Sequence, residues 1–308
     1  MMNGYVEKDP EPKRCGFVAI VGLPNAGKST LLNQLLGTKV SIVSPKPQTT
    51  RFNLRGVLTR EDYQIVFMDT PGIHDAKSLM NKLMVKQAID VLRDVDAILW
   101  VFDSANRSSK EEADLLEIIK SANKPTILAL NKVDLIKNKN ELLPSIDYFS
   151  KLYDFKAIVP ISALERDGLD ELEKELVAVL PEGEFYYPPD MATDLPLRLF
   201  VAEIIREKIL LNTYQEIPYS VAVQVDTIKE NPKNGVLVIR ATIFCERDSQ
   251  KGIIIGKGGR MLKKIGTLAR EELEFLLKKK VYLELWVKTL EGWREKESHL
   301  KRLIFPYQ

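Results

Sequence analysis

Cysteine and histidine are almost missing from this chain. Two of each, Cys15, Cys245, His74 and His299, stand in 308 residues. Such scarcity leaves no disulfide framework and no His/Cys cluster with metal-ligand spacing. Neither histidine has a nucleophile or metal partner nearby in sequence, so His74 is left without a role. Both thiols are expected to be reduced and structural, as in the cytosol. No apolar run is long enough to span a bilayer. The segment from Met1 to Arg14 is polar, carries Pro10 and Pro12, and has no signal-peptide core. The expected location is cytoplasmic. Internal repeats and low-complexity tracts are also absent.

What is present is Gly22-Leu23-Pro24-Asn25-Ala26-Gly27-Lys28-Ser29, the pattern G-x-x-x-x-G-K-[ST]. An apolar run, Phe17 to Val21, reads as a buried strand before it, and Thr30 to Leu36 has helical spacing after it. Loop N–H groups free of side chains can wrap a polyphosphate, and the helix start adds a favourable field. Asn25, Ala26, Gly27, Lys28, Ser29 and Thr30 are the candidate phosphate contacts. Lys28 would reach the β- and γ-phosphates, and Ser29 would bind Mg²⁺. A glycine turn with a merely solvated lysine is the bland alternative.

A second signal is Asn131-Lys132-Val133-Asp134, directly after the buried run Thr126–Leu130. Ligands in doubly wound sheets sit at the carboxyl ends of strands. A carboxylate there only accepts hydrogen bonds, and guanine offers two adjacent donors where adenine offers no such pair. Asp134 would therefore select guanine, with the Lys132 stem along the base. A helix cap is the competing use of Asn131 and Asp134. Between the two signals lies Asp69-Thr70-Pro71-Gly72, after Ile65–Met68. Asp69 suits Mg²⁺, usually through water, and Gly72 can bring an amide to the γ-phosphate. Later, Ser162-Ala163-Leu164 follows Ile158–Ile161, and its N–H groups are candidates for the guanine carbonyl.

In order and spacing these motifs resemble the translation-factor-like GTPases over about residues 15 to 180. Gln48-Thr49-Thr50-Arg51 resembles the first switch of the Era and MnmE-like branch. The resemblance implies that a threonine closes on Mg²⁺ when GTP is bound; Thr50 is the choice, Thr49 the near alternative. Lys28, Thr50 and Gly72 are thus the expected catalytic set, and Ser29, Thr50 and Asp69 the expected Mg²⁺ set. Where the GTPase template has a water-orienting Gln, this chain has Ile73. An apolar side chain cannot polarise water, so slow intrinsic hydrolysis is expected. Resemblance to the same branch makes Asn25 a candidate ligand for K⁺, which would stand in for an arginine finger.

The chain is long enough for two domains. Pro181, Pro188, Pro189 and Pro196 stiffen one stretch, which also holds Phe185, Tyr186 and Tyr187. The expected division is 1–183, a linker over 184–196, and 197–308. Charge changes sign across it. Residues 1–196 carry 24 Lys and Arg against 29 Asp and Glu, and residues 197–308 carry 21 against 14. A basic domain behind an acidic one suggests a polyanionic partner.

Within that domain the expected elements are a helix over 197–211, strands over 219–225 and 236–245, a helix over 261–277 and a strand over 281–287. Gly256-Lys257-Gly258-Gly259 forms a G-x-x-G loop between two helical stretches. This order resembles a type II KH domain, whose loop clamps four nucleotides. Lys257, Arg260 and Lys263 supply charge, while Ile253, Ile254, Ile255 and Leu262 are expected to line the groove. Lys288, Trp293 and Arg294 are candidate additions.

A GTPase domain followed by a type II KH domain resembles the Era family over nearly the whole chain. The fold so implied is an α/β P-loop GTPase domain, its mostly parallel sheet flanked by helices on both faces, then an α+β type II KH domain. The function so implied is Mg²⁺-dependent GTP hydrolysis, binding near the 3′ end of 16S ribosomal RNA, and 30S subunit assembly. Two alternatives stay open: an RNA-binding module with GTP as a structural ligand, and a membrane-surface switch whose basic domain binds lipid. Peripheral contact with the inner membrane face is conceivable, and a monomer is the default.

Overall fold

The computed structural model describes residues 12–73, 78–106 and 109–305; His74 and most of the N-terminal lead lie outside them. The first unit begins with β1 (Arg14–Val21), the glycine loop and α1 (Lys28–Leu36). There follow β2 (Leu54–Thr59), β3 (Tyr63–Asp69), α2 (Leu79–Asp94), β4 (Ala97–Asp103) and α3 (Ser109–Ala122). Then come β5 (Thr126–Asn131), α4 (Leu142–Leu152), β6 (Ala157–Pro160) and α5 (Leu169–Val179).

The strands form one sheet in the order β2-β3-β1-β4-β5-β6, parallel except for β2 against β3. Strands buried on both faces read as continuous apolar runs, and their alternation divides two cores. Val18 and Ile20 face Leu31, Leu32 and Leu35 of α1 and Leu172 and Leu176 of α5. Ala19 and Val21 face Ala88 and Leu92 of α2, Leu115 and Ile119 of α3, and Phe149 of α4. β1 has β3 on one side and β4 on the other, so a crevice opens at its carboxyl end.

The proline-rich stretch lies along the outer side of the sheet. Val57 N–H donates to Ala192 O at 2.8 Å, Gln64 Nε2 donates to Tyr187 O at 2.8 Å, and Arg55 pairs with Asp194 at 2.6 Å. It thereby covers part of β2, which would otherwise be an open edge.

The second unit comprises α6 (Leu197–Asn212), α7 (Ile217–Ser220), β7 (Ala222–Glu230), β8 (Leu237–Cys245), α8 (Asp248–Ile255), α9 (Arg260–Leu277), β9 (Val281–Thr289) and α10 (Glu297–Leu303). Its sheet runs β7-β8-β9, with β7 antiparallel to β8 and β9 parallel to it. The strand expected from Tyr219 starts later. Pro218 favours the first turn of a helix, and Tyr219 and Ser220 belong to α7. Ile205, Ile209, Ile239, Ile243, Ile265 and Leu273 form the core between helices and sheet.

Two apolar contacts join the units. Ile42, from the loop after α1, is packed in the core of the second unit. Met80 and Met84 of α2 pack with Trp293, Leu300, Ile304 and Phe305. Trp293 is therefore not a stacking platform: it is fully buried, and its indole N–H donates to Ser220 O at 3.1 Å. Among the described residues no helix is long and apolar enough to cross a membrane.

Candidate functional site: a nucleotide cleft and a basic groove

The crevice beyond β1 is a cavity of about 440 Å³. Asn25, Gly27, Lys28, Ser29, Thr30, Thr50, Gly72, Asn131, Lys132, Asp134 and Ala163 all line it. The glycine loop needs its glycines for space. A Cβ on Gly22 would stand 2.4 Å from Val101 O, and one on Gly72 would stand 2.9 Å from Pro24 N.

Lys28 is buried beneath the loop, and its ammonium donates to Gly22 O and Leu23 O at 3.0 Å each. Burial pushes its pKa down to about 8, and the Asp69 carboxylate partly opposes this. Asp69 is buried as well. Burial raises its pKa, against the pull of Lys28 and of the Ser29, Ser41 and Thr50 hydroxyls. Ser29 Oγ donates to Asp69 Oδ2 at 2.8 Å, and Thr50 Oγ1 lies 2.9 Å from Ser29 Oγ. Asp69 Oδ1 is buried with no hydrogen-bond partner among the described residues. Three hard oxygens, one of them on a desolvated carboxylate, fit a divalent cation. Thr49 also lines the cavity, but its hydroxyl is engaged elsewhere: it lies 2.8 Å from Ser44 Oγ and donates to Lys46 O at 2.7 Å.

Asn25 is exposed at φ 64°, the left-handed region, on the rim of the cleft. Ile73 is 6 % exposed and belongs to the core with Ala19, Val21 and Trp100. The side chain that replaces the template Gln is thus packed in the core and is not among the residues that line the cleft.

At the other end, Asn131 braces two loops. Its Nδ2 donates to Ala26 O at 2.8 Å, and its Oδ1 accepts Ala163 N–H at 2.9 Å. Lys132, at φ 67°, pairs with Asp103 at 2.5 Å, a partner that no sequence motif announced. Asp134 is exposed, and Ser162 Oγ donates to its Oδ1 at 2.6 Å. The expected use of the Ser162 N–H needs correction. That N–H already donates to Asp167 O at 3.0 Å, and the contact Ser162 makes toward this end of the cleft is its hydroxyl bond to Asp134.

In the second unit Gly256, Gly258 and Gly259 all have positive φ, and Lys257 and Arg260 are exposed beside them. A groove of about 390 Å³ runs from Gly259 along α9, past Leu262, Lys263, Gly266 and Arg270, to Leu283 and Leu285 of β9. Gly266 was not anticipated. A glycine inside a helix costs about 1 kcal/mol against Ala; a Cβ here would meet only Leu285 Cδ1, at 3.4 Å, an ordinary contact, so what the glycine provides is open space in the groove. Of the four expected groove liners only Leu262 lines it; Ile253, Ile254 and Ile255 do not, and Lys288, expected beside the clamp, is on another face. Ile254 is fully buried in the core, because a helix as short as α8 turns one face inward and leaves Ile253 exposed. Lys288 is exposed but alternates with Val287, on the strand face opposite Leu283 and Leu285.

Known proteins share these features. Residues 17–132 match the family model described as a 50S ribosome-binding GTPase, and residues 216–294 match that of the KH domain. Over 290 residues the chain is 48% identical to GTPase Era of Ruminiclostridium cellulolyticum, covering 94% of this chain and 97% of the relative. The chain belongs to the Era GTPase family. Era of Geobacter sp. strain M21 is 51% identical over 288 residues, 94% of this chain and 96% of its own length. A crystal structure of an Aquifex aeolicus Era variant bound to GDP·AlF4⁻ superposes with a TM-score of 0.92 at 46% identity, covering 95% of this chain and 99% of that one. Equal values hold for a crystal structure of Era with MgGDPNP and nucleotides 1506–1542 of 16S ribosomal RNA. As an Era family member, the chain is a GTPase that couples a P-loop domain to a KH domain.

Proposed function

We propose that the chain is a Mg²⁺-dependent GTP switch that binds single-stranded RNA at the 3′ end of 16S ribosomal RNA and acts in 30S subunit assembly. The observation that carries this reading is the convergence of Ser29, Thr50 and Asp69 beside Lys28, in a chain that also carries the G-x-x-G groove. The related Era structure with MgGDPNP and 16S nucleotides 1506–1542 supports it. The working division is a GTPase domain over 1–183, a linker over 184–196 and a KH domain over 197–308.

In this reading Asp134 accepts the two guanine donors while Ser162 fixes its rotamer. The P-loop amides and Lys28 hold the phosphates, and Lys28 exchanges its two carbonyl contacts for phosphate oxygens. Mg²⁺ would be held by Ser29 and Thr50, with Asp69 oriented behind them, and would neutralise charge at the β- and γ-phosphates. Gly72 brings the backbone next to the γ-phosphate. Water attacks phosphorus in line with the departing GDP oxygen, positioned by backbone groups because Ile73 is buried. Asn25, on the cleft rim, is the proposed K⁺ ligand. In the KH domain Lys257, Arg260 and Lys263 hold the RNA backbone, and unstacked bases enter between α9 and β9.

The test is multiple-turnover phosphate release in K⁺ and in Na⁺ buffers, with RNA binding measured in parallel. Turnover abolished by Lys28→Ala with RNA affinity retained supports an enzyme. RNA binding with no catalytic turnover would leave GTP as a structural ligand. Equal rates in the two buffers would remove K⁺ from the account.

A further inference from the structure

We propose that Arg51 and Arg206 are positioning residues for GTP hydrolysis, through which the KH domain holds Thr50 at the Mg²⁺ side of the nucleotide. This rests on the assignment of Thr50 to Mg²⁺ made above.

The first switch is gripped from the second unit on both sides of Thr50. On the carboxyl side, the Arg51 guanidinium is 1% exposed and reaches across the domain boundary. Its Nη1 donates to Val221 O at 2.6 Å and its Nη2 to Pro218 O at 3.1 Å. The same group lies 5.9 Å from the centre of the Trp293 ring, a cation–π arrangement. On the amino side, Arg206 of α6 is also 1% exposed and donates to Thr49 O. Glu203 fixes it, accepting from its Nε at 2.7 Å. Earlier in the switch, Val43 N–H donates to Glu207 Oε1 at 2.9 Å, and Lys46 donates to Leu210 O and Thr213 O. Ile42 inserts into the KH core.

Ile42, Val43, Lys46 and Thr49 stand along the cleft wall, but of the gripped residues Thr50 alone is hydrogen-bonded to Ser29 among the described residues, 2.9 Å from its Oγ. Arg51 has no carboxylate among its described hydrogen-bond partners. Burial and the neighbouring Arg206 push its pKa well down. A buried cation held by main-chain carbonyls adds little stability over an apolar side chain. What it specifies is one register between residue 51 and the turn from α7 to β7. Coupling of this kind is reciprocal: ordering Thr50 with GTP favours the docked KH domain, and undocking that domain withdraws Thr50.

The test uses the full chain with Arg51→Met, Arg206→Met, Arg51→Lys and Thr50→Ala. It reads the affinities for MgGDPNP and MgGDP and the Mg²⁺ concentration that half-saturates hydrolysis. Both methionine variants are expected to lose at least tenfold in MgGDPNP affinity, keep MgGDP affinity within twofold, and need more Mg²⁺. Arg51→Lys should recover part of the loss. Parallel losses for both nucleotides would mean that the arginines only support the fold, and unchanged affinities would mean that they do not position Thr50; either overturns the proposal. Should Arg51→Met fail to fold, Arg206→Met carries the same prediction from the other side of Thr50. If Thr50→Ala itself keeps the MgGDPNP preference and Mg²⁺ demand, the Mg²⁺ assignment has failed. If only Thr50→Ala loses them, the positioning proposal alone has failed.

Discussion

Asn131 lies so close against Gly27 that a Cβ on Gly27 would stand 2.3 Å from Asn131 Nδ2. This contact and the hydrogen bond to Ala26 O brace the loop after β5 against the glycine loop. Asn131→Ala leaves Ala26 O and Ala163 N–H without their buried partner, at about 1–3 kcal/mol each. The expected outcome is a loss of tenfold or more in both GTP and GDP affinity by equilibrium titration. Because the brace touches neither the γ-phosphate nor the switch, the two losses should match.

Asp134→Asn changes which base fits. Guanine presents a ring N–H and an amine, while xanthine presents the same N–H beside a carbonyl. An amide side chain accepts from one and donates to the other. GTP affinity should fall about ten- to a hundredfold, since charge-assisted hydrogen bonds of roughly 1.5–3 kcal/mol are lost. Xanthosine triphosphate should become the better substrate in a side-by-side turnover assay.

Lys28 predicts a pH signature in the nucleotide-free protein. Its folded pKa of about 8 lies below the 10.5 of an exposed lysine. Below pH 8 both folded and unfolded chains hold the proton, and the burial penalty is present in full. From pH 8 to 10.5 the folded chain releases it first, so stability from this group rises with pH, by up to roughly 3 kcal/mol. Urea unfolding of wild type and Lys28→Met at pH 7.5 and pH 10 should show this gain only in the wild type.

Restoring the template residue at position 73 should not speed the reaction. Ile73 is 6% exposed in an apolar core. Ile73→Gln would bury an amide without a partner, at about 1–3 kcal/mol. The expected result is a lower unfolding midpoint with turnover raised no more than twofold.

The nucleotide cleft was largely legible in the sequence because its chemistry demands particular residue types at fixed spacing. Gly22, Gly27, Lys28, Asp69, Asn131 and Asp134 announced themselves, and the strands before them are continuous apolar runs. Thr49 and Thr50 are adjacent and alike, so only the backbone decides which one faces Ser29. Ile254 and Lys288 were misplaced for a related reason. A run of three isoleucines does not say which one a short helix turns inward, and a strand's outward face depends on register. Arg51, Arg206 and Glu207 were missed as interface groups because their partners lie in the other domain, more than 150 residues away. One signal was available: in α6, Arg206 and Glu207 stand between the apolar residues Ile204, Ile205, Ile209 and Leu210, and a charge placed among such residues must find a partner.

The most direct test of a single two-domain switch is steady-state GTP turnover in K⁺ buffer, with and without a single-stranded RNA matching the 16S 3′ end, in wild type and Gly258→Asp. Nothing lies within 4 Å of a Cβ at Gly258, whose φ is +60°, a region that Asp tolerates. The variant should therefore fold while its carboxylate repels the RNA backbone. The account predicts an RNA-dependent rise in the wild type that Gly258→Asp abolishes without changing basal turnover. A wild type that binds the RNA tightly with no change in turnover would contradict it, because the KH domain would then only localise an independent GTPase.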